Sequence, residues 1–510
     1  MLEKLSSNLL LDLASESKET LSLGNIGIEK ENLRVSNNSI AQTPHHRMFG
    51  SALCNQYITT DFSESLLEMV TPTFKDKNSL LVFLEDMHEF IYKSINNESL
   101  WPFSIPPNFK NENEIAIANY GSSNEAILKM TYRNGLSHRY GRGMQAISGI
   151  HFNYSFSEKS LKRLNSKTSN MNMPEIKSTI YLRMIRNLNR MNWLLLYLFG
   201  SSPVITKSLL SSDHHDFIKL YGDYFYLPHA TSLRMSDLGY RNMKQSELTV
   251  SMNSLDEYIN DLSEATKKID HQFEKIFQIT KDDFSQLNGN ILQIEDEYYA
   301  AARPKSNHSS NKRLLFKLKN YGIEYVELRS LDLNPLSKIG IEKETIIFLE
   351  AFMIFCALTP SERITKEELL ESRDNELLVS YRGRYKGLCL MRGKRKIKLS
   401  DWANEILEMM QPLTDSIEGL DSIIDHQKEK INNPGLTPSA IILDKQSSGK
   451  DEFLNNLTKE YKDSFQARKK EKNANWKIFE DEACKSNKQI KELENSNKPY
   501  SDFLTDFLEF

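Results

Sequence analysis

Carboxylates recur in this chain at spacings that place them side by side. In GIEKENLRV, residues 27–35, strand geometry puts Glu29 and Glu31 on one face with Cβ atoms about 6.6–6.8 Å apart, while Ile28 and Lys30 face the other way. Like charges on one strand face repel, so a chain that keeps both leaves them in water or gives them a cation. TTDFSESLLEMVTP, residues 59–72, reads as a helix capped by Asp61 or Ser63 and buried through Leu66, Leu67 and Met69, with Asp61, Glu64 and Glu68 along one side. In SGIHFNYSF, residues 148–156, Ile150, Phe152, Tyr154 and Phe156 alternate with His151, Asn153 and Ser155, so His151 points away from the core. In GIEYVELRSLDLNP, residues 322–335, Tyr325, Glu327 and Arg329 share a face. A guanidinium two residues from a carboxylate suits a site where one holds a metal and the other grips a phosphate or a substrate carboxylate.

Each segment also has an ordinary explanation: an exposed edge strand, acidic charge at a helix start, a structural histidine, a weak surface ion pair. Together they offer acidic and imidazole groups from several elements while burying the opposite faces, which points to a magnesium cluster. Mg²⁺ prefers oxygen ligands at about 2.0–2.1 Å and commonly binds carboxylates together with substrate phosphates. The chain has no GxxxxGK[ST] and no GxGxxG opening a helix after a strand. A nucleotide would therefore be held by metal ions and by Arg or Lys side chains.

The elements that must position these groups follow from periodicity. Helical patterns run over 78–95, 177–199, 254–279, 343–358 and 400–431. Alternating segments lie at 26–35, 147–156 and 323–331, with a further strand expected near 291–299. Without βαβ alternation the expected class is α+β with antiparallel strands. Residues 305–320 are polar and basic and read as an exposed excursion. Two regions are expected: a catalytic domain over 1–443 and a charged helical tail over 444–510, anchored by Trp476, Phe479, Phe503 and Phe507 and packed on the same domain.

Composition narrows the function classes. The 65 basic and 69 acidic residues are interspersed along 510 positions and leave a net charge of -4, which argues against nucleic acid as a partner. MLEKLSSNLLLDLASESKE at the start reads as an amphipathic helix, not a signal. The apolar run Trp193 to Phe199 is far shorter than the ~20 residues of a membrane span. Cys54, Cys356, Cys389 and Cys484 are scattered, without metal-ligand spacing, as expected of a reduced, cytosolic protein.

Five segments, GIEKENLRV, TTDFSESLLEMVTP, YGSSNEAILKMTYRNGLSHRYGRGMQAISGIHFNYSF, YLPHATSLRMSDLGY and GIEYVELRSLDLNP, resemble in the same order the proteobacterial type of glutamate–cysteine ligase. The resemblance extends over roughly residues 24–443, with the weaker NPGLTPSAIIL near 433. It implies a glutamine-synthetase-like antiparallel sheet curved around a metal site, with surrounding helices. It implies Mg²⁺, with Mn²⁺ as an alternative ion, held by Glu29, Glu31, Asp61, Glu68, His151 and Glu327, and Arg329 stabilising the transferring phosphoryl group. Tyr132, Arg133, Leu136 and Gln145, with Phe62 and Tyr240, look like the family's cysteine pocket; Arg234 would meet a substrate carboxylate, and Arg303 and Lys305 the nucleotide. Lys30, Asn32 and His229 depart from the commoner family pattern at positions beside the implied site.

The implied reaction is the first step of glutathione biosynthesis, in which glutamate, cysteine and ATP give γ-glutamylcysteine, ADP and phosphate through γ-glutamyl phosphate. The expected protein is a cytoplasmic monomer without nucleic-acid or membrane partners. Three other readings stay open on the residues alone: a metal-dependent phosphohydrolase, a non-catalytic metal or amino-acid binder, and a ligase whose acceptor is another amine such as 2-aminobutyrate or alanine.

Overall fold

Period-two alternation builds the sheet that carries the acidic residues. The computed structural model describes residues 24–164, 171–210, 216–239, 245, 248–280, 285–309, 312–469, 473–495 and 498–508. Six strands form its main path: β1 (Asn25–Ser36), β2 (Ile58–Thr60), β3 (Leu66–Val70), β4 (Gly149–Ser155), β5 (Ala302–Lys305) and β6 (Tyr325–Asp332). Their spatial order is β5-β6-β4-β1-β3-β2, all antiparallel, and the short strands Ser39–Ile40 and Ser99–Leu100 extend the far end of β1.

One face of the sheet is apolar because every second residue is. Ile28, Ile150, Phe152, Tyr154, Val326 and Leu328 are buried in a single core. Against that face lie the helices α1 (Lys77–Ser94), α3 (Met173–Phe199) and α4 (Lys343–Leu358), while α2 (Asn124–Tyr140) crosses elsewhere. Helix α3 starts on a capping box, in which Asn172 Oδ1 accepts from the Glu175 amide and the Glu175 carboxylate accepts from the Asn172 amide, with Pro174 in the first turn. Helix α4 is apolar on all sides and nearly all of it is buried, as a helix covered on every face must be. Truncating Phe348 or Phe352 there to Ala would cost about 3–5 kcal/mol. The buried Glu350 of α4 is ion-paired with Lys77 of α1.

Several expectations need correction. Residues 59–72 are not a helix: they form β2, a turn and β3, with the Leu66 amide donating to both the carbonyl and the Oγ of Ser63. The β-branched Ile58, Thr59, Thr60 and Val70 favour extended backbone, and Leu67 and Met69 reach the core on alternate positions with Glu68 facing away. No strand forms at 291–299; the segment runs irregularly into a short 3₁₀ turn, Glu295–Glu297. The helical stretch 254–279 is two helices, Leu255–Ala265 and His271–Thr280. That over 400–431 is likewise broken, by Pro412 and the left-handed Gly419, into Leu399–Met410, a 3₁₀ turn and Leu420–Asn432. The stretch 305–320 holds the end of β5 and most of a helix, Leu314–Tyr321. The amphipathic segment at the start lies outside the described residues.

Beyond residue 432 the described residues are mostly helical. Residue 443 falls inside α5 (Pro438–Gln466), which packs on α1; α6 (Trp476–Glu494) sets Trp476 and Phe479 against Phe90; and α7 (Tyr500–Leu508) lies on α2. Phe503 and Phe507 join a cluster with Leu128 and Tyr132 of α2. All four cysteines are free thiols. No helix among the described residues is long and apolar enough to cross a membrane.

Candidate active site

Opposite the apolar core, the sheet brings its charged residues together. Glu29 of β1 stands across from His151 of β4, Glu31 across from Glu68 of β3, and Glu327 of β6 across from both Asn153 and Arg303. Ligand atoms of Glu29, His151 and Glu327 all lie within 4.8 Å of one another. His151 Nδ1 is 3.1 Å from Glu29 and 3.9 Å from Glu327, and its Nε2 is 3.7 Å from Glu31. Asn153 Nδ2 donates to Glu29 at 3.0 Å, and the Gly149 amide donates to Glu31 at 2.6 Å. Like charges directly opposite on paired strands are destabilising, so the Glu31–Glu68 pair works against the fold unless a cation sits between.

The electrostatics have two signs. Burial pushes the Glu68 carboxyl well up, and the charges of Glu29, Asp61 and Glu31 push it further. Burial raises Glu31 as well, despite His151, with Asp61 adding to the rise. Glu327 is fully buried, yet Arg329, Lys305 and His151 hold it well below the usual carboxylate range. Arg329 donates to Glu327 at 3.0 Å, and the Lys305 ammonium is 3.4 Å from its other oxygen. Carboxylates made harder to ionise by burial and crowding, beside Glu327 held ionised by its cations, are what a hard divalent ion would relieve. His151 Nε2 is buried without a hydrogen-bond partner, so the donor set fits such an ion.

The remaining site residues divide by place. Phe62 and Leu136 are buried in one apolar cluster against which Tyr132 packs. Arg133 donates to the Asp61 carbonyl at 2.5 Å and lies 4.7 Å over the Tyr120 ring, tying α2 to the loop that presents Asp61. Gln145 donates to Tyr299 Oη at 2.9 Å. Arg234, in the 3₁₀ turn Leu233–Met235, reaches the Arg329 carbonyl at 3.0 Å. Arg303 donates to the carbonyls of Asp296 and Tyr298, so its guanidinium ties down a loop, whereas Lys305 faces Glu327. Tyr240 lies outside the described residues.

Glu64, grouped with Asp61 and Glu68 on the sequence, is elsewhere: its two carboxylate oxygens accept from the amides of His45 and Asn119, each at 2.7 Å. Lys30 points behind the sheet, where its ammonium reaches Asn32 and, at 2.7 Å, His88. Four further residues were not singled out from the sequence. Asn153 shares the polar face of β4 with His151, a signal that was present. Tyr299 and Gly149 carried none. Lys129 sits one turn before Arg133 on α2, and burial lowers its ammonium to about 8, with Arg133 pushing the same way.

An antiparallel sheet whose polar face gathers carboxylates, an imidazole and flanking cations, with an apolar cluster beside it, has the equipment of an enzyme that joins small acidic molecules. The chain belongs to the glutamate–cysteine ligase family and is a ligase: the family's model matches residues 10–379. A glutamate–cysteine ligase of Alcanivorax borkumensis is 41% identical over 456 residues, 87% of each chain. One of Pseudomonas putida is 41% identical over 436 residues, 84% of this chain and 83% of the other. Among solved structures, the glutamate–cysteine ligase of Francisella tularensis in complex with AMP superposes with a TM-score of 0.90 at 31% identity, over 95% of this chain and 97% of that one. A bifunctional glutathione synthetase of Pasteurella multocida shares the fold, with a TM-score of 0.70 at 24% identity over 90% of this chain and 54% of that one.

Proposed function

We propose that this chain catalyses the ATP-dependent ligation of the glutamate γ-carboxylate to the cysteine amine, the first step of glutathione synthesis, on a glutamine-synthetase-like sheet curved around Mg²⁺. The observation that carries the reading is the convergence of Glu29, His151 and Glu327 on one point, with Arg329 and Lys305 on the last of them. Mg²⁺ would be held by these three with Glu31, Asp61 and Glu68 beside them, and would supply neutralisation of the nucleotide phosphates. The catalytic domain would end where α5 begins, at Pro438, with the helices beyond it packed on that domain, in a cytoplasmic monomer.

The barrier to the first step is electrostatic, because a carboxylate must approach a polyanion. One γ-carboxylate oxygen attacks Pγ, the bond to the β-phosphate oxygen breaks and ADP leaves, while Arg329 stabilises charge on the transferring group. Arg234 holds the glutamate α-carboxylate, and Lys305 borders the nucleotide, with Arg303 fixing the loop beside it. The cysteine amine then attacks the γ-carbonyl carbon of γ-glutamyl phosphate, and phosphate departs with the C–O electron pair. Tyr132, Arg133, Leu136, Gln145, Phe62 and Tyr240 position cysteine for that attack. Glutamate labelled with ¹⁸O in its γ-carboxylate should yield phosphate carrying one label; label absent from phosphate would rule out the acyl phosphate.

Two further outcomes are expected. A proton on Glu68 competes with the cation, so Mg²⁺ affinity should rise with pH through the elevated Glu68 range, with proton release on binding. Calorimetric Mg²⁺ titrations in buffers of different ionisation heat read that release directly, and buffer-independent heats would contradict it. Leu136→Ala removes apolar contact from the cysteine pocket and should raise the cysteine KM about 5–150-fold, the ~1–3 kcal/mol of such a contact, with the glutamate KM little changed. An equal rise in both would place Leu136 outside that pocket.

A further inference from the structure

Arg234 comes from a loop outside the sheet, yet its guanidinium must stand at a defined point beside Arg329. Its turn is held by a buried carboxylate. Asp332, at the end of β6, accepts from the Ser201 amide at 2.8 Å, from Ser202 Oγ at 2.7 Å and from Ser232 Oγ at 2.8 Å. Ser202 Oγ in turn accepts from the Arg234 amide at 3.2 Å, and Ser232 Oγ caps the turn by accepting from the Met235 amide at 3.3 Å. The anchors at the Arg234 and Met235 amides thus lead to Asp332, 5% exposed.

The side chain has its own place. Between the pairs Leu328–Phe152 and Leu331–Ile150 the β4–β6 register shifts, so Arg329 and Ser330 together stand against the single residue His151. Such a bulge re-aims the strand, and the Arg329 carbonyl accepts from Arg234. Directly opposite Asp332 across the ladder is Gly149. A Cβ there would overlap the Arg234 guanidinium itself, not backbone. The atoms that must yield to a methyl group are the mobile end of one side chain, so the penalty falls on the guanidinium's position before it falls on the fold.

We propose that Gly149 and Asp332 are positioning residues that set the Arg234 guanidinium where it meets the glutamate carboxylate, Gly149 by leaving room for it and Asp332 by anchoring its turn. This rests on the assignment of Arg234 to glutamate. Gly149 has a second task that a methyl group leaves intact, since its amide still donates to Glu31.

A double-mutant cycle in the full-length protein tests this, with KM measured for glutamate, cysteine and ATP in Gly149→Ala, Arg234→Ala and the double variant. Gly149→Ala should raise the glutamate KM about 10-fold or more, with the ATP KM within about two-fold. In the Arg234→Ala background, where no guanidinium remains to displace, the same change should have no further effect. Asp332→Asn should follow the same pattern. A merely structural role predicts the opposite: equal factors in both backgrounds would overturn the proposal. If Gly149→Ala does not fold, the double variant decides, because recovery of folding without the guanidinium supports the proposal and continued failure overturns it. Wild-type turnover indifferent to glutamate would remove the ligase reading and the proposal with it, whereas glutamate-dependent turnover with additive variants removes the proposal alone.

Discussion

Arg329→Ala is expected to lower kcat by about 1,000-fold or more, the scale on which an arginine beside a transferring phosphoryl group contributes. The side chain is half-buried, donates to Glu327 at 3.0 Å and stands on the same face as the carboxylate cluster. Its charge matters most when the γ-phosphoryl group is between donor and acceptor, so the loss should appear in kcat, with ATP KM changing far less. Arg329→Lys keeps the charge without the planar fork and should recover only part of the rate. Single-turnover ADP formation, which isolates the phosphoryl step, is the measurement that checks this. A variant that forms γ-glutamyl phosphate at the wild-type rate and fails later would place Arg329 in the second step.

Glu327→Gln should be about as damaging, again about 1,000-fold in kcat, by a different route. The substitution keeps shape and removes charge from a residue that faces Lys305, Arg329 and His151 at once. It would take a donor from the proposed cation site and leave two cations facing a neutral amide. Mg²⁺ activation curves should shift to higher concentration and the melting temperature should fall, because unpairing buried charges is costly. The depressed proton affinity of Glu327 fixes the pH behaviour. Its contribution to stability is complete above the ordinary glutamate range and disappears only as pH falls through the lowered folded value, so neutral assays see the ionised form throughout. A variant with unchanged Mg²⁺ dependence would remove Glu327 from the metal ligands.

The sequence made some of this architecture legible and hid the rest for identifiable reasons. β1, β4 and β6 could be read because each alternates apolar and polar residues cleanly, and that alternation placed Glu29, His151 and Glu327 on one face. Residues 59–72 also fit a helix, because Leu66, Leu67 and Met69 fall at helical spacing; the β-branched Thr59, Thr60 and Val70 are the better signal. β5 is four residues with a central proline, too short for any period to show. The cysteine pocket proposed around Tyr132 and Leu136 rests on resemblance alone, since apolar residues on a helix read as core. The fit of Arg234 over Gly149 joins residues 85 positions apart and needs the folded chain.

Phosphoryl transfer on this sheet face is expected to depend on both amino acids. ADP release should be measured with Mg²⁺ and ATP, adding and omitting glutamate and cysteine in turn. Sustained release is expected only with both present, matched mole for mole by γ-glutamylcysteine. Release at the same rate without either amino acid would contradict it and make the protein a phosphohydrolase.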